Sequence, residues 1–293
     1  MKDNQLLNKI KTYLLFAGPV TFAFFTVVII PFLYGLFLTF TDWNGVSTQY
    51  TIIGFHNYKK IFLDKGFVSS LLLTLKYVVV TVLVTNTVAF ALASILTSGT
   101  KGQSFFRAGF FTPNLIGGVA LGYVWQFIFN SIFTYMGKSY GLEALQASFL
   151  SSPNRAFWAL VIVSVWQYSG YMMIIYITGF LNIPKDVLEA ASIDGAEGWA
   201  KIKSIIIPLI MPACTISVFL TLQRTFMVYD VNLALTKGGP FKSTEMISMY
   251  VYKKAFTERA YGVGQAQAVI LFIIVATISI LQVYISKKKE VEA

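Results

Sequence analysis

Two short glycine-containing patterns could bind phosphate groups, and each lacks a residue that this chemistry requires. The G-K-S run at 137–139 matches the end of a phosphate-binding loop, but Ile132 stands where the first glycine is needed. The G-V-G run at 262–264 matches the start of a dinucleotide-binding turn, but Gln267 replaces its third glycine. The chain also lacks an H-E-x-x-H pattern and a second cysteine. The sequence therefore predicts no catalytic residues, no metal site and no ATP hydrolysis by this chain.

The residues that most often bind metals or carry redox chemistry each occur once. His56 stands beside Asn57 and Tyr58, with no second ligand nearby, and we interpret it as a structural histidine. Cys214 lies in an apolar run, where a free cysteine usually serves as a small packing residue.

A second kind of chemistry is the recognition of a neutral polar solute by side chains within apolar stretches. Aromatic faces suit the C–H surfaces of a sugar, and neutral donors and acceptors suit its hydroxyl groups. Interhelical hydrogen bonding and small-residue packing would use the same residues, so their types alone leave both interpretations open. The candidates are Asn114, Gly118, Ser164, Trp166, Gln167, Tyr168, Thr221 and Thr225.

Charged residues within apolar stretches are costly in hydrocarbon and often mark function. We expect Lys76 to extend its amine towards the end of its span. Arg224 and Asp230 fall in the fifth apolar stretch. Two interpretations of these residues are equally open: they line a solute path, or they form an ion pair at an interface.

Composition identifies the elements that must position these residues. Hydrophobic residues make up 56% and charged residues 12% of the chain, against about 25% charged in soluble domains. The mean hydropathy is +0.67. Most of the apolar stretches reach the roughly 20 residues that cross a bilayer, so we predict an all-α membrane protein with six transmembrane helices. The predicted spans are 13–40, 71–96, 108–129, 157–181, 205–235 and 263–285.

The net charge of +10 favours anionic lipid headgroups over nucleic acid, because the basic residues are scattered over loops and tails. The first stretch is too long for a signal peptide, so we interpret it as a retained span. Lysine and arginine divide almost equally between the two sides, and the K-K-K run at 287–289 favours a cytoplasmic location for both termini.

The loop at 182–204 has the sequence of a docking element. Pro184 can begin a short helix, and Gly195 suits the left-handed residue that ends one. Ala190 and Ala191 would let another backbone approach closely, and Trp199 would begin a second helical segment. We predict a helix–turn–helix that a second protein binds.

This loop carries a specific resemblance. The pattern E-A-A, three residues, G, nine residues and I-x-[LI]-P resembles the signature of membrane subunits of bacterial ATP-driven importers that depend on a binding protein. Further matches at 54–58, 111–114, 194–196 and 235–240 resemble the maltose-type, multiple-sugar branch of that family. Ile207 stands where the family more often has leucine. The signature residues are Glu189, Ala190, Ala191, Gly195, Ile205, Ile207 and Pro208.

The resemblance implies the type I importer permease fold, with a cytoplasmic coupling helix between helices 4 and 5, in the bacterial cell membrane. It divides the chain into a tail at 1–12, a first span and external loop at 13–68, a permease core at 69–286 with its coupling loop at 182–204, and a tail at 287–293. The coupling residues it implies are Glu189, Ala190, Ala191, Asp194, Gly195, Trp199 and Pro208.

The partners that the resemblance implies are a second, different permease chain, two cytoplasmic ATPases that use ATP and Mg²⁺, and an extracytoplasmic sugar-binding protein. No cofactor would be bound by this chain. The loops around Gly54 and at 237–240 would meet the binding protein.

The eight candidates named above resemble the sugar-lining positions of maltose-type permeases. Trp166 matches the family's residue type, whereas several others differ, so the identity of the sugar does not carry over. A phosphate cargo would need clustered cations and only Arg224 is available, so a neutral di- or oligosaccharide is expected. The alternatives are glycerol phosphate or another polar solute in the same architecture, and a stand-alone secondary carrier.

Overall fold

The computed structural model describes residues 11–99 and 101–290, and this part of the chain is mostly helical and contains no strand. A single isolated bridge pairs Thr41 with Ile52. The principal helices are α1 (Gly18–Leu38), α2 (His56–Leu63), α3 (Lys65–Thr97), α4 (Gln103–Leu115), α5 (Gly118–Ser139), α6 (Pro153–Leu181), α7 (Lys185–Ile193), α8 (Gly198–Leu209), α9 (Met211–Phe226), α10 (Asp230–Leu235), α11 (Ile247–Tyr252) and α12 (Tyr261–Lys287).

Four of these helices, α1, α3, α6 and α12, are each long and apolar enough to cross a membrane. The pairs α4–α5 and α8–α9 meet that criterion only when each bent pair is taken together. The described residues therefore contain between four and six candidate spans, and the total is six when each bent pair counts as one.

The third predicted span, 108–129, is a bent pair of helices instead of one straight helix. Helices α4 and α5 meet at 99°. Pro113 has no N–H to donate within the helix, and Ile116 and Gly117 follow in extended conformation with ψ of 127° and 139°. The polypeptide consequently turns beside Asn114.

The fifth predicted span, 205–235, is also interrupted. Helices α8 and α9 meet at 77° around Ile210, and Pro212 in the first turn of α9 has no N–H to continue the hydrogen bonding of α8. Helix α9 ends at Phe226, and Asp230 begins the separate helix α10. Arg224 and Asp230 therefore lie on different helices.

Helices also occur between the predicted spans: α2 lies between the first and the second, and α11 lies between the fifth and the sixth. Most of the predicted N-terminal tail, residues 1–10, and residues 291–293 of the predicted C-terminal tail lie outside the described residues.

The described residues form two compact units, one within residues 1–65 and 251–271 and the other within residues 66–250 and 272–293. In the first unit, Asn57 is buried and its amide nitrogen donates to the carbonyl oxygens of Thr39 and Thr41, each at 2.8 Å. This side chain fastens α2 to the segment that follows α1. His56 is exposed in the first turn of α2.

In the second unit, α3, α6 and α9 share both an apolar core and a buried polar junction. Asn86 lies at that junction. Its Oδ1 accepts hydrogen bonds from the Tyr176 hydroxyl at 2.9 Å and from the Ser217 hydroxyl at 2.7 Å. The apolar core beside it includes Ala89, Ala93, Met172, Met173, Ile177, Ile210 and Ala213.

Candidate functional site

The docking element predicted at 182–204 folds as two helices joined by a tight turn, and the second of them, α8, extends the element to Leu209. After α7, the N–H of Ala196 donates to the carbonyl of Ala191 at 2.9 Å, and the N–H of Gly195 donates to that of Ser192 at 3.2 Å. These two bonds form a Schellman C-cap, which needs a left-handed residue. Gly195 supplies it with a φ of 77°. The local turn thus has the conformation that the sequence predicted.

A lysine links the two helices of this element. The Nζ atom of Lys201 lies 2.9 Å from the Ser192 hydroxyl and 3.4 Å from the carbonyl oxygen of Leu188. A cation is favourable beside Ser192, in the last turn of α7, because the C-terminal end of a helix carries partial negative charge. The contact between Ser192 and Lys201 is not predictable from local sequence, since residues nine positions apart give no local signal of contact.

The predicted coupling residues differ in exposure. Glu189, Ala190, Asp194 and Gly195 are exposed, and Trp199 is 71% exposed. Ala191 is buried at 5% exposure, and Pro208 is half-buried at the end of α8.

The inner side of the element packs on the rest of the bundle. Leu188 of α7 and Ile206 and Leu209 of α8 pack against the core shared by α3, α6 and α9. One side of the docking element is therefore fastened to the bundle, while Glu189 and Trp199 face outwards.

The polar residues predicted to line a solute path separate into three groups. In the first, Arg224 joins Asn114 and Tyr168. Its guanidinium donates to the Oδ1 atom of Asn114 and lies over the rings of Tyr168, 5.5 Å from its centroid, and Tyr171, at 4.8 Å. Among the described residues, no carboxylate lies within 4.0 Å of this half-buried cation. Tyr171 was missed because it resembles any other aromatic residue of an apolar span.

Gln167 and Gly118 lie at the α4–α5 bend that carries Asn114. The amide nitrogen of Gln167 donates to the carbonyl oxygen of Ile116 at 3.3 Å. Its side-chain oxygen is buried with no hydrogen-bond partner in the part of the chain that the structure describes. A Cβ atom at Gly118 would lie 2.9 Å from the Cβ of Asp230, so this glycine permits α5 to approach α10 closely.

The second group consists of buried hydroxyls that bond within the bundle. Ser164 is fully buried and accepts a hydrogen bond from the Tyr77 hydroxyl at 2.6 Å. The hydroxyls of Thr221 and Thr225 donate to carbonyl oxygens of their own helix, at 2.7 and 2.8 Å. Asn86 also contacts the Thr221 hydroxyl at 3.4 Å. Ser164 and Thr221 are therefore part of the polar packing between helices, whereas both hydrogen bonds of the buried Thr225 hydroxyl stay within α9.

Trp166 forms the third group by itself. It is 42% exposed and lies 5.5 Å from the Trp125 ring. It lines an apolar groove of about 660 Å³ together with Val88, Phe106, Trp158 and Ile162. Trp166 and Tyr168, two residues apart on α6, thus lie in different surroundings.

The loop that follows α10 is held in one conformation by buried polar groups. The amide nitrogen of Asn232 donates to the carbonyl oxygen of Thr244 at 2.6 Å, and the hydroxyls of Thr236 and Thr244 lie 2.7 Å apart. Lys237, Phe241 and Lys242 have φ values of 55°, 52° and 63°. Such strain persists only where surrounding bonds enforce it.

Phe241 lies at the tip of this loop. It is 92% exposed. Because it belongs to none of the candidate membrane spans, contact with lipid hydrocarbon does not explain this exposure. The side chain of Lys242 next to it is 79% exposed. The loop therefore presents an aromatic and a basic side chain from a structured backbone.

The chain resembles known transport proteins along most of its length. A family model described as "Binding-protein-dependent transport system inner membrane component" matches residues 85–291. The chain is 42% identical over 280 residues to the "Probable starch degradation products transport system permease protein AmyD" of Thermoanaerobacterium thermosulfurigenes, covering 96% of this chain and 95% of that one. It is 33% identical over 261 residues to the "Multiple sugar-binding transport system permease protein MsmF" of Streptococcus mutans, covering 89% and 90%.

A solved structure has the same fold. It is a bacterial alginate ABC transporter in complex with an alginate pentasaccharide-bound periplasmic protein. The TM-score is 0.82, and the match covers 97% of this chain and 98% of that one at 20% identity.

Proposed function

The chain belongs to the family of binding-protein-dependent transport system inner membrane components, and we propose that it is the permease subunit of an ATP-driven importer of a neutral di- or oligosaccharide. The observation that carries the proposal is the exposed helix–turn–helix at 185–209, which has the family's signature residues and is fastened on its inner side to the bundle. Two relatives are named for starch degradation products and for multiple sugars, which supports the sugar cargo.

In this proposal, α7 is the cytoplasmic coupling helix between the fourth and fifth of six spans, and both termini are cytoplasmic. Glu189 makes a polar contact in the cleft of an ATPase subunit, and Ala190 permits close approach. Ala191, which is buried in this chain, seats the helix on its own bundle. Gly195 forms the turn that places Trp199. The ATPases hydrolyse ATP with Mg²⁺, and this chain binds neither.

The transport cycle is alternating access. When the ATPases close on ATP, they move α7 and α8 as one body, because Lys201 links the two helices. Leu188, Ile206 and Leu209 transmit the motion to α3, α6 and α9 through the apolar core. The far end of α9 carries Arg224, so this motion alters the polar cluster at the α4–α5 bend.

We assign the solute path to Asn114, Gln167, Tyr168 and Arg224. The guanidinium has five N–H donors, of which the bond to Asn114 uses one. The buried oxygen of Gln167 is an acceptor that sugar hydroxyls would satisfy. Ser164 and Thr221 support this path by linking helices through hydrogen bonds, and Gly118 permits the close approach of α10.

The partner on the external side is a sugar-binding protein, as the family name and the fold neighbour's periplasmic partner suggest. We place a contact with this binding protein at Phe241, which lies at the tip of the loop after α10. An exposed aromatic on a structured loop loses little conformational entropy on binding and suits an interface hot spot.

The test is purification of the tagged chain from its native membrane in mild detergent, followed by reconstitution in proteoliposomes with the binding protein. We expect a second permease and an ATPase to copurify, and ATP-dependent uptake of a labelled neutral oligosaccharide. If the proteoliposomes take up glycerol phosphate and no neutral oligosaccharide, the proposed cargo is wrong and glycerol phosphate takes its place. Recovery of the chain without partners, with solute flux in the absence of ATP, would contradict the importer assignment.

A further inference from the structure

A cavity of about 310 Å³ lies between α5, the segment before α6 and the loop after α10. This volume is at the lower end of the range for ligand-binding pockets, so it suits one small ring better than an extended chain. The lining residues are Gln126, Asn130, Ser148, Leu150, Ser151, Leu235, Thr236, Gly239 and Pro240.

The lining is polar and uncharged. Five of the nine residues carry a neutral hydroxyl or amide side chain, and none is charged. Such a lining offers no counter-charge to an ionic ligand, whereas it can exchange hydrogen bonds with a polyhydroxylated one. The cavity shares no residue with the cluster around Arg224.

Hydrogen bonds within the lining leave the amide nitrogen of Asn130 available as a donor and the side-chain oxygen of Gln126 available as an acceptor. The Oδ1 atom of Asn130 accepts a hydrogen bond from the Ser148 hydroxyl, and the amide nitrogen of Gln126 donates to the Leu235 carbonyl oxygen at 3.1 Å. Within residues 11–99 and 101–290, the amide nitrogen of Asn130 and the side-chain oxygen of Gln126 have no partner of their own. Adjacent sugar hydroxyls can accept from the first group and donate to the second.

The walls of the cavity are structured on both sides. On one side, the hydroxyl of Thr236 lies 2.7 Å from that of Thr244, which also donates to the Gly239 carbonyl oxygen at 2.9 Å. On the other side, the rings of Phe129 and Phe149 stack with centroids 5.2 Å apart. A site whose walls are already ordered loses less entropy when a ligand binds.

The cavity lies at the opposite end of α6 from the docking element. Ser151 lies two residues before the start of this 29-residue helix, and α7 follows its far end. The helix is about 43 Å long at 1.5 Å per residue, which exceeds the roughly 30 Å of bilayer hydrocarbon. When the docking element faces the cytoplasm, the cavity faces the outside.

We propose that this cavity is an external carbohydrate site, which holds one neutral pyranose ring of the cargo before the solute enters the spans. The proposal rests on the proposed function for the orientation of the chain and for the chemical class of the cargo. The Asn130 amide nitrogen and the Gln126 oxygen provide the selective hydrogen bonds, and Leu150 and Pro240 provide apolar contact.

The experiment uses the complete transporter complex in nanodiscs without the binding protein. Maltotriose, raffinose and cellotriose are each tested for direct binding by saturation-transfer difference NMR, with empty nanodiscs as the blank. Asn130→Leu removes the donor group, and Asn130→Asp keeps the acceptor for Ser148 while removing the same donors. Asn154→Leu is the matched control, because Asn154 is exposed next to this segment and does not line the cavity.

We expect at least one of the three sugars to bind, with a signal that falls about tenfold in both Asn130 variants and persists in Asn154→Leu, since lost hydrogen bonds cost about 1.4 kcal/mol or more. Absence of binding for all three sugars, or an unchanged signal in either Asn130 variant, would overturn the site. Uptake of a neutral sugar in the presence of ATP and the binding protein is measured in parallel. If uptake persists when direct binding fails, the external site is wrong and the proposed function stands.

Discussion

Arg224 donates a hydrogen bond to Asn114, and this bond joins the last turn of α9 to the bend between α4 and α5. From the sequence alone, Arg224 could equally line a solute path or form an ion pair at an interface. The described residues place no carboxylate within 4.0 Å of it, while an amide and two tyrosine rings surround it. This environment favours a role in the solute path, because neutral partners leave the cation's remaining donors available.

Replacing Arg224 by Gln should therefore lower ATP-driven sugar uptake by about tenfold, because both the charge-assisted bond and the stacking over two rings are lost. Arg224→Lys should restore only part of the activity, since an ammonium lacks the planar geometry of a guanidinium. Uptake in proteoliposomes measures the effect. Arg259→Gln, at an exposed position, is the control and should behave as wild type. Equal uptake in all variants would remove Arg224 from the path.

Glu189→Lys and Gly195→Pro should abolish transport while the protein remains in the membrane. The first reverses an exposed charge on α7, and the second is incompatible with a φ of 77° and removes the N–H that bonds to Ser192. Copurification of the ATPase and uptake are the measurements. Glu197→Lys changes the same residue type nearby and should retain both, whereas normal uptake in the two docking variants would rule out the coupling role.

Lys201→Met should uncouple ATP hydrolysis from uptake, because α7 and α8 lose the side chain that links them. We expect uptake to fall about fivefold, which corresponds to roughly 1 kcal/mol for the lost hydrogen bonds, with ATPase activity reduced less. Lys201→Arg should rescue part of the loss. Lys203→Met, at an exposed position two residues further on, serves as the matched control. Identical uptake-to-hydrolysis ratios in Lys201→Met and wild type would contradict the linkage.

Gly170→Ala should strongly destabilise the bundle. A Cβ atom at Gly170 would lie 1.8 Å from the carbonyl oxygen of Phe110, so α4 and α6 would have to separate. Overpacking of this kind typically costs about 1–3 kcal/mol or more. Thermal unfolding in detergent should show a clear drop in Tm. Gly109→Ala, where a Cβ meets nothing within 4 Å, should leave Tm unchanged, and equal Tm values for the two variants would show that the helices do not approach this closely.

Phe241→Ala should weaken the productive interaction with the binding protein by about tenfold, as expected for an aromatic hot spot. Stimulation of ATPase activity is titrated with purified binding protein. Tyr140→Ala removes another exposed aromatic, 74% exposed, and should have little effect. A half-maximal concentration that does not change in Phe241→Ala would exclude this loop tip from the interface.

The amino-acid sequence is sufficient to establish that the chain is helical and membrane-embedded, where most of its apolar stretches lie, and which family it joins. It also determined the turn at Gly195, because a left-handed helix end depends on a few adjacent residues. These properties are local: they follow from the composition of a stretch or from the residues within one turn.

The directions in which the polar residues of the spans point depend on how the helices pack together. In a helix that is apolar all round, as in α6, periodicity does not show which side faces a neighbouring helix. Ser164 therefore accepts a hydrogen bond from Tyr77, Trp166 lines an outward groove, and the ring of Tyr168 packs against Arg224. These three residues of α6 nevertheless lie within five positions of one another. The bends of 99° and 77°, the bond between Asn114 and Arg224, and the cavity beside Asn130 all depend on segments far apart in the chain, and such contacts are specified by packing instead of by local pattern.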